Sequence, residues 1–292
     1  MSNLSSIKKA VISAAGFGTR FLPISKTIQK EMLPILNRPV IDYVVSDCVR
    51  AGIEEIIIII NQHNSQVLHY FRENKRLKNY LKDKDKAELY DQIEHLHQQS
   101  EFHFIRQPDD GRYGTAIPLQ LAQEYLENEQ AFLYLTGDDF IYQADKNFSF
   151  VREMIDHYQQ TKAEALVTCY QRPDHELHRY GVAKIRTENR VHYLEDLVEK
   201  PQPGKAPSNL ANISKYILTP EVLKIIENQQ PNPDSGEYYI TDTLVKLCQS
   251  KPVTVLKANG EYLDGGNVYN WLRANLILAG QNNRYQELVL NR

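Results

Sequence analysis

Cysteine is scarce in this 292-residue chain: Cys48, Cys169 and Cys248 are odd in number, far apart and set among apolar neighbours. That pattern excludes a disulfide framework and lacks zinc-ligand spacing. None of the three has a base nearby in sequence to activate it as a nucleophile. Basic residues are in no surplus either. The 34 Lys and Arg are outnumbered by 37 Asp and Glu, the net charge is −3, and no long basic run occurs. The electrostatics that dominate nucleic-acid binding are therefore missing. No apolar stretch approaches the about 18 residues that span a bilayer, and the opening MSNLSSIKKAVISAAG has too short an apolar run for a signal peptide. The expectation is a cytoplasmic protein with no nucleic-acid and no membrane partner. Internal repeats, low-complexity tracts and separating linkers are absent too, so one domain over 1–292 with inserted lobes is the simplest organisation. With 42% hydrophobic and 24% charged residues, such a domain can bury a sizeable core.

What is present is a succession of short apolar runs. Ala10 to Ile12 reads as a buried strand, and Ile41, Val44, Val45 and Cys48 recur at helical spacing in a helix from Val40 to Ala51 that Gly52 stops. Five isoleucines, Ile56 to Ile60, then make a β-branched strand suited to burial on both faces of a parallel sheet. Strand, helix, strand is a βαβ unit. Further strands are expected at Phe102 to Arg106, Ala131 to Leu135, Ala165 to Tyr170, Ile213 to Leu218, Pro252 to Lys257 and Tyr262-Leu263. Helices are expected at Ser65 to Phe71, Thr115 to Leu126, Phe148 to Gln160, Pro220 to Glu227, Thr243 to Cys248 and Val268 to Ala279. The charged, Gly- and Pro-free segment Lys75 to Gln99 reads as a helical, solvent-facing insertion over about 73–99. From Tyr180 the texture changes. Gly181 to Ile185 and Val191 to Val198 alternate like antiparallel strands about a turn at Glu188-Asn189, an excursion over about 180–218. The fold class expected is α/β: a Rossmann-like, mixed and mostly parallel sheet flanked by helices, with an antiparallel excursion.

The chemistry concentrates in Ser13 to Pro34, SAAGFGTRFLPISKTIQKEMLP. The first strand delivers a loop whose small residues, Ala14, Ala15, Gly16 and Gly18, let backbone N–H groups approach a ligand, and Arg20, Lys26 and Lys30 follow closely. Exposed amides plus fixed cations suit a polyphosphate; the plainer alternative is a Gly-rich turn with surface lysines. Neither familiar phosphate loop fits. Phe21 stands where GxGxxG needs its third glycine, and GK[ST] is absent after four spacers. Other strand ends carry polar groups: the turn-rich Gln107 to Ala116, the pair Asp138-Asp139, Glu199-Lys200 and Asp264. In an open α/β sheet that is where ligands collect, so Asp138 and Asp139 either hold a metal or serve as turn and N-cap residues.

The loop wording G-x-G-T-R-F-L-P…K…K-E-M-L-P resembles the signature of the sugar-nucleotide pyrophosphorylases and is similar to that of the bacterial UTP–glucose-1-phosphate uridylyltransferases. The segments QP…YGTA, GDD, YGV, VEKP, SNLA…YIL, GEYYITD and LDGGN follow in that family's order, from about Lys8 to about Ala279. The resemblance implies a nucleotide-diphospho-sugar transferase fold. It also implies transfer of a uridylyl group from UTP to glucose 1-phosphate with Mg²⁺, by a homodimer or homotetramer. It further implies that Ala15 and Gly16 hold the nucleotide, Arg20 and Lys30 neutralise the triphosphate, and Gln107 and Gly114 read the uracil. Asp138 and Asp264 would hold Mg²⁺, Gly181 and Glu199 the sugar, and Lys200 the sugar phosphate. There are departures: Gln29 stands for the usual proline, Thr115 for histidine, Ile213-Ser214-Lys215 for Val-Gly-Arg, and Tyr238-Tyr239-Ile240 for Ile-Gln-Leu. The last two bear on sugar choice, so another sugar 1-phosphate or dTTP is the alternative, and a non-catalytic nucleotide-sugar-binding protein a more distant one.

Overall fold

The computed structural model describes residues 7–145 and 147–290; the first six residues of the amino-terminal segment lie outside it. The apolar runs become strands β1 (Lys9–Ala14), β4 (Glu55–Asn61), β5 (Glu101–Gln107), β6 (Phe132–Thr136), β8 (Ala165–Gln171), β9 (Gly181–Glu188), β10 (Val191–Glu199), β11 (Leu210–Leu218) and β12 (Val253–Lys257) of one sheet. Two small antiparallel pairs accompany it, β2 (Pro34–Ile35) with β3 (Arg38–Pro39) and β7 (Asp139–Tyr142) with β13 (Glu261–Asp264). The main sheet runs β5-β4-β1-β6-β11-β8-β12-β10-β9. Strands β5, β4, β1 and β6 are mutually parallel. β11 enters antiparallel between β6 and β8, β12 is parallel to β8, and β10 and β9 complete an antiparallel flank. The antiparallel part thus reaches the middle of the sheet instead of staying at one edge.

The isoleucine run explains why the sheet is covered on both faces. Period-two alternation sends Ile56, Ile58 and Ile60 into a cluster with Val40, Ile41 and Val44 of the helix Val40–Ala51, and Ile57 and Ile59 into a second cluster with Leu119 and Leu126. All five are fully buried, and each such side chain contributes about 1.5–3 kcal/mol. From β1 the chain crosses to β4 on one side while β6 lies on the other, so strand order reverses there. A crevice at the carboxyl ends of β1, β4, β5 and β6 is the geometric result.

The helical insertion is divided, Lys75–Asp83 and Glu88–Glu94 followed by a 3₁₀ turn, with Asp85 at φ +53° breaking the run. The helix expected from Thr115 begins only at Ile117, because the Thr115 hydroxyl accepts from Ile240 N (3.0 Å), and it is interrupted at Ala122. The doublet Asp138-Asp139 leads into a strand, so neither residue caps a helix.

The β9–β10 turn falls one residue later than expected, on Asn189 and Arg190, both with positive φ (+49° and +67°). That is the dihedral demand of a type I′ hairpin, whose second position favours glycine. Replacing Arg190 by glycine relieves a left-handed L-residue, and an increase in stability of about 0.5–1 kcal/mol is expected as a higher urea midpoint at unchanged m-value.

Candidate active site

Beyond β1 the chain cannot continue the sheet, and it winds through three 3₁₀ turns, Thr19–Phe21, Ile24–Lys26 and Lys30–Met32. Phe21 and Leu33 pin this loop into the core. Gln29, at the position of the usual proline, pins it laterally: its Nε2 donates to Ala14 O (3.3 Å), and its backbone N donates to Gln66 Oε1 (2.8 Å). The substitution therefore exchanges ring rigidity for hydrogen bonds. The result is a cavity of about 160 Å³ lined by Ala15, Gly16, Lys30, Gln107, Gly114 and Asp138 among others. Six of the residues singled out in the sequence thus come from three separate segments to one place.

At its floor, Lys30 Nζ lies 2.6 Å from Asp138 Oδ2 and 3.6 Å from Glu31 Oε1. Burial opposes the charge of Lys30, but the two carboxylates outweigh it and hold its pKa above the usual lysine range. Burial likewise opposes ionisation of Asp138, yet Lys30 keeps its carboxyl below the ordinary aspartate value. Glu31 is different. It is 1% exposed, its Oε2 has no hydrogen-bond partner among the described residues, and burial, only partly offset by Lys30, pushes its pKa up to about 7.

Asp138 and Asp139 have opposite fates. Asp139 is 5% exposed and paired with the 3% exposed Lys215, whose Nζ also donates to the Asp139 carbonyl (3.0 Å). Tyr262 Oη (2.5 Å) and Thr136 Oγ1 (2.8 Å) donate to the same carboxylate. With its acceptors filled, Asp139 is not a metal carboxylate. Asp264 is drawn beside Asp138 by the β7–β13 pair, after which Gly265 N donates to Asp138 O (2.7 Å). A Cβ on Gly266 would lie 2.7 Å from Asp264 Oδ1 and 3.4 Å from Asp138 Oδ2, so the two carboxylates border the same small space. Asp264 accepts from Gly266 N (2.6 Å) and Asn270 Nδ2 (2.6 Å), which fixes its orientation. Among the described residues no group of three or more His, Cys, Asp or Glu forms a metal cluster. Two hard carboxylates suit a cation that takes its remaining ligands from water and phosphate.

The segment after β5 is clipped to the distant GEYYITD segment. Tyr238 N donates to Tyr113 O (2.8 Å), and Ala116 N donates to Tyr238 O (2.8 Å). Gly114 lies at φ +129°, and a Cβ there would collide with the Tyr238 backbone. Only glycine fits. Tyr113 also stacks on Phe17 (centroids 5.9 Å apart, 17° between planes). Together they border a second cavity of about 260 Å³ that shares Ala15 and Gln107 with the first.

Gly181, Glu199 and Lys200 form a separate group. Gly181 pairs with Glu199 across the hairpin, Glu199 Oε2 lies 2.9 Å from where a Gly181 Cβ would be, and Lys200 Nζ is 3.7 Å from Glu199 Oε1. Lys200 is held at φ +44°, a strained conformation for lysine. Burial, reinforced by Asp242 and Glu237, lifts the Glu199 pKa above its ordinary value. Glu237 also lines the first cavity, so the two groups adjoin. Arg20 joins neither: it is exposed and has no ion pair among the described residues. Sequence reasoning misses Glu31, Tyr113, Glu237, Tyr262 and Thr241, whose buried Oγ1 is unpartnered near Gly181. Glu31 carries a signal, as an acid beside the apolar MLP of the loop; the others carry no local one.

Known proteins resemble this chain in both sequence and fold. The nucleotidyl transferase family matches residues 9–281. A UTP–glucose-1-phosphate uridylyltransferase of Bacillus subtilis is 34% identical over 285 residues, covering 97% of this chain and 95% of that protein. The enzyme of the same name from Staphylococcus haemolyticus is 34% identical, covering 94% and 92%. A UTP-bound UGPase from Acinetobacter baumannii superposes with a TM-score of 0.87 at 29% identity over 97% of this chain and 99% of that one. A UDP-glucose pyrophosphorylase complexed with UDP-glucose gives a TM-score of 0.81 at 30% identity over 94% and 100%.

The neighbouring aspartates are expected to separate in stability measurements. Asp139→Asn leaves Lys215 buried without its counter-charge and should cost about 3–5 kcal/mol in urea unfolding. Asp138→Asn should cost much less, because Lys30, its side chain 21% exposed, keeps Glu31 and reaches water. Glu31 itself predicts a pH dependence. Its pKa is raised from 4.5 to about 7 on folding, so the native state holds an extra proton between those values and stability falls as pH rises through that window. Glu31→Gln should flatten this slope and raise the urea midpoint at pH 8.

Proposed function

The chain belongs to the nucleotidyl transferase family, and from that premise we propose that it transfers the uridylyl group of UTP to glucose 1-phosphate, releasing pyrophosphate and forming UDP-glucose. The observation that carries this reading is the convergence of Lys30, the Gly-rich loop and Asp138 on one cavity with Asp264 beside it. In the reaction, an oxygen of the sugar phosphate forms a bond to the α-phosphorus as the bond to the bridging oxygen breaks, and pyrophosphate leaves. No covalent enzyme intermediate is needed, and the protein contributes positioning and charge neutralisation.

On this reading, the backbone of Ala15 and Gly16 cradles the phosphates, and Lys30 neutralises them. Arg20, exposed on the same loop, turns onto the triphosphate. Gln107 and the backbone at Gly114 present hydrogen-bonding groups to the uracil edge, held rigid by the Tyr238 clip. Gly181, Glu199 and the unpartnered Thr241 hydroxyl receive the sugar, and Lys200 receives its phosphate. The departures Lys215 and Tyr238 are engaged inside the protein, so they offer no observation in favour of another sugar. Asp138 and Asp264 fit Mg²⁺ in donor type and placement. When bound, the ion supplies neutralisation of the triphosphate charge.

Cytoplasmic residence is supported by three unpaired cysteines, and no helix among the described residues is long and apolar enough to cross a membrane. Assembly as a homodimer or homotetramer is supported by the exposed apolar stripe Val268, Tyr269, Leu272 and Leu276 on the helix Val268–Gly280, and light scattering on the eluting protein tests it.

The reaction is tested by pyrophosphate release from UTP and glucose 1-phosphate, expected with Mg²⁺ and abolished by chelator. Release at least as fast with another sugar 1-phosphate or with dTTP would overturn the substrate assignment. Lys200→Ala and Asp138→Asn are each expected to lose about 10²–10³ in kcat/KM. The loss in Lys200→Ala should fall mainly on glucose 1-phosphate, with the melting temperature retained.

A further inference from the structure

Beside Gly181 lies a small apolar cluster, Leu177, Val182 and Ala211 with Tyr180 and Ala206 against it, while Ala183, Leu194 and Leu197 of the same hairpin belong to one of the two large cores. The carboxylates Asp138 and Asp264 belong to the segments of β7 and β13, elsewhere in the fold. Between the two lies Arg172. Its Cζ is 5.1 Å from the Tyr170 ring, 5.6 Å from Tyr180 and 5.1 Å from Tyr262. The side chain is only 14% exposed, Nη1 is 3.6 Å from Glu176 Oε2, and the buried Nε has no hydrogen-bond partner among the described residues. A guanidinium without a full set of hydrogen bonds, desolvated among three aromatic faces, is held largely by cation–π attraction. A planar guanidinium can stack in this way, whereas the compact ammonium of lysine cannot replace it fully.

The three rings are anchored unequally. Tyr170 belongs to β8, and Tyr262 is fixed by its hydrogen bond to Asp139 (2.5 Å) and packs on Tyr170 (5.6 Å). Tyr180 instead ends the 3₁₀ segment Asp174–Arg179, directly precedes Gly181, and its carbonyl accepts from Lys200 N (3.0 Å). Removing the cation would leave Tyr262 and Tyr170 in place and release Tyr180. We propose that Arg172 is a positioning residue that fixes the sugar-phosphate group of Gly181, Glu199 and Lys200 against the carboxylate strands through Tyr180. The consequence rests on the function proposed above: Arg172 governs use of the sugar phosphate and not of the nucleotide.

Two measurements on full-length protein decide this. In steady-state pyrophosphate release, Arg172→Gln is expected to raise KM for glucose 1-phosphate roughly tenfold, in keeping with the loss of a desolvated cation–π attraction, with KM for UTP within about twofold. Arg172→Lys should lie between Arg172→Gln and wild type. Equal changes in both KM values, or none, would overturn the proposal. Hydrogen exchange is the second measurement and needs no turnover. Arg172→Gln should speed exchange in peptides covering 178–200 and leave those covering β13 unchanged; uniform acceleration or none would also overturn it. If wild-type protein releases no pyrophosphate, the functional reading fails, and hydrogen exchange still judges Arg172. Should Arg172→Gln not fold, Tyr180→Leu, which removes one wall of the cage, carries the same expectations.

Discussion

The buried pair of Lys215 and Asp139 is the contact on which the arrangement of this molecule depends. Lys215 comes from β11, the strand that inserts antiparallel into the middle of the sheet, and Asp139 opens β7, which leaves the sheet to pair with β13. A charge taken out of water is tolerated only with a partner and further hydrogen bonds, and here Thr136, Tyr262 and the Asp139 carbonyl complete the set. The pair therefore fixes where β7 departs. The departure of β7 fixes where Asp138 faces, and β13 then brings Asp264 beside it.

The doublet Asp138-Asp139 shows how one step along a strand end divides two identical residues. The side of Asp139 is closed by Lys215 and Tyr262, so that carboxylate organises the scaffold. The side of Asp138 opens on the loop, where Lys30 meets it at 2.6 Å. Lys30 and Asp138 neutralise one another at the floor of the cavity, and each is the group that a polyphosphate and a hard cation would take from the other. On the proposed reaction, the internal ion pair preserves a charge balance that substrate binding rearranges without leaving a buried charge alone.

Much of this was legible in the sequence because the signals were local. Ile56 to Ile60 could only be a strand buried on both faces, Gly52 marked the end of its helix, and the loop after β1 carried both small residues and Lys30. The resemblance then related distant segments to one another, which no spacing could do. The illegible part depends on contacts between remote residues or on single backbone dihedrals. The late start of the helix at Ile117 is decided by a hydroxyl bond to Ile240, the break in the insertion by a positive φ at Asp85, and the role of Asp139 by Lys215, 76 positions away. Arg20 shows the opposite limit: its motif is clear, yet its side chain lies apart from the cavity.

On the proposed reaction, the division into two groups of residues has a physical reason. A nucleoside triphosphate needs many backbone donors and rigid strand ends, and the parallel half of the sheet supplies them at the crevice where strand order reverses. A second phosphate brought to the same cations would compete for them, so its counter-charge is better placed on another element. Lys200 directly follows β10 in the antiparallel half, its backbone strained and its N–H tied to the Tyr180 carbonyl. On that proposal the sugar phosphate would reach the α-phosphorus only if the two halves keep a fixed separation. Glu237, which lines the cavity and also acts on Glu199, lies on the near side of that boundary. On the far side a large core reaches the hairpin through Ala183, Leu194 and Leu197, and the small cluster of Leu177, Val182 and Ala211 continues it beside Gly181. The core and the shared sheet set the coarse separation of the halves, and the polar and aromatic contacts of Lys200, Tyr180 and Arg172 act at the rim where that packing thins to three small side chains.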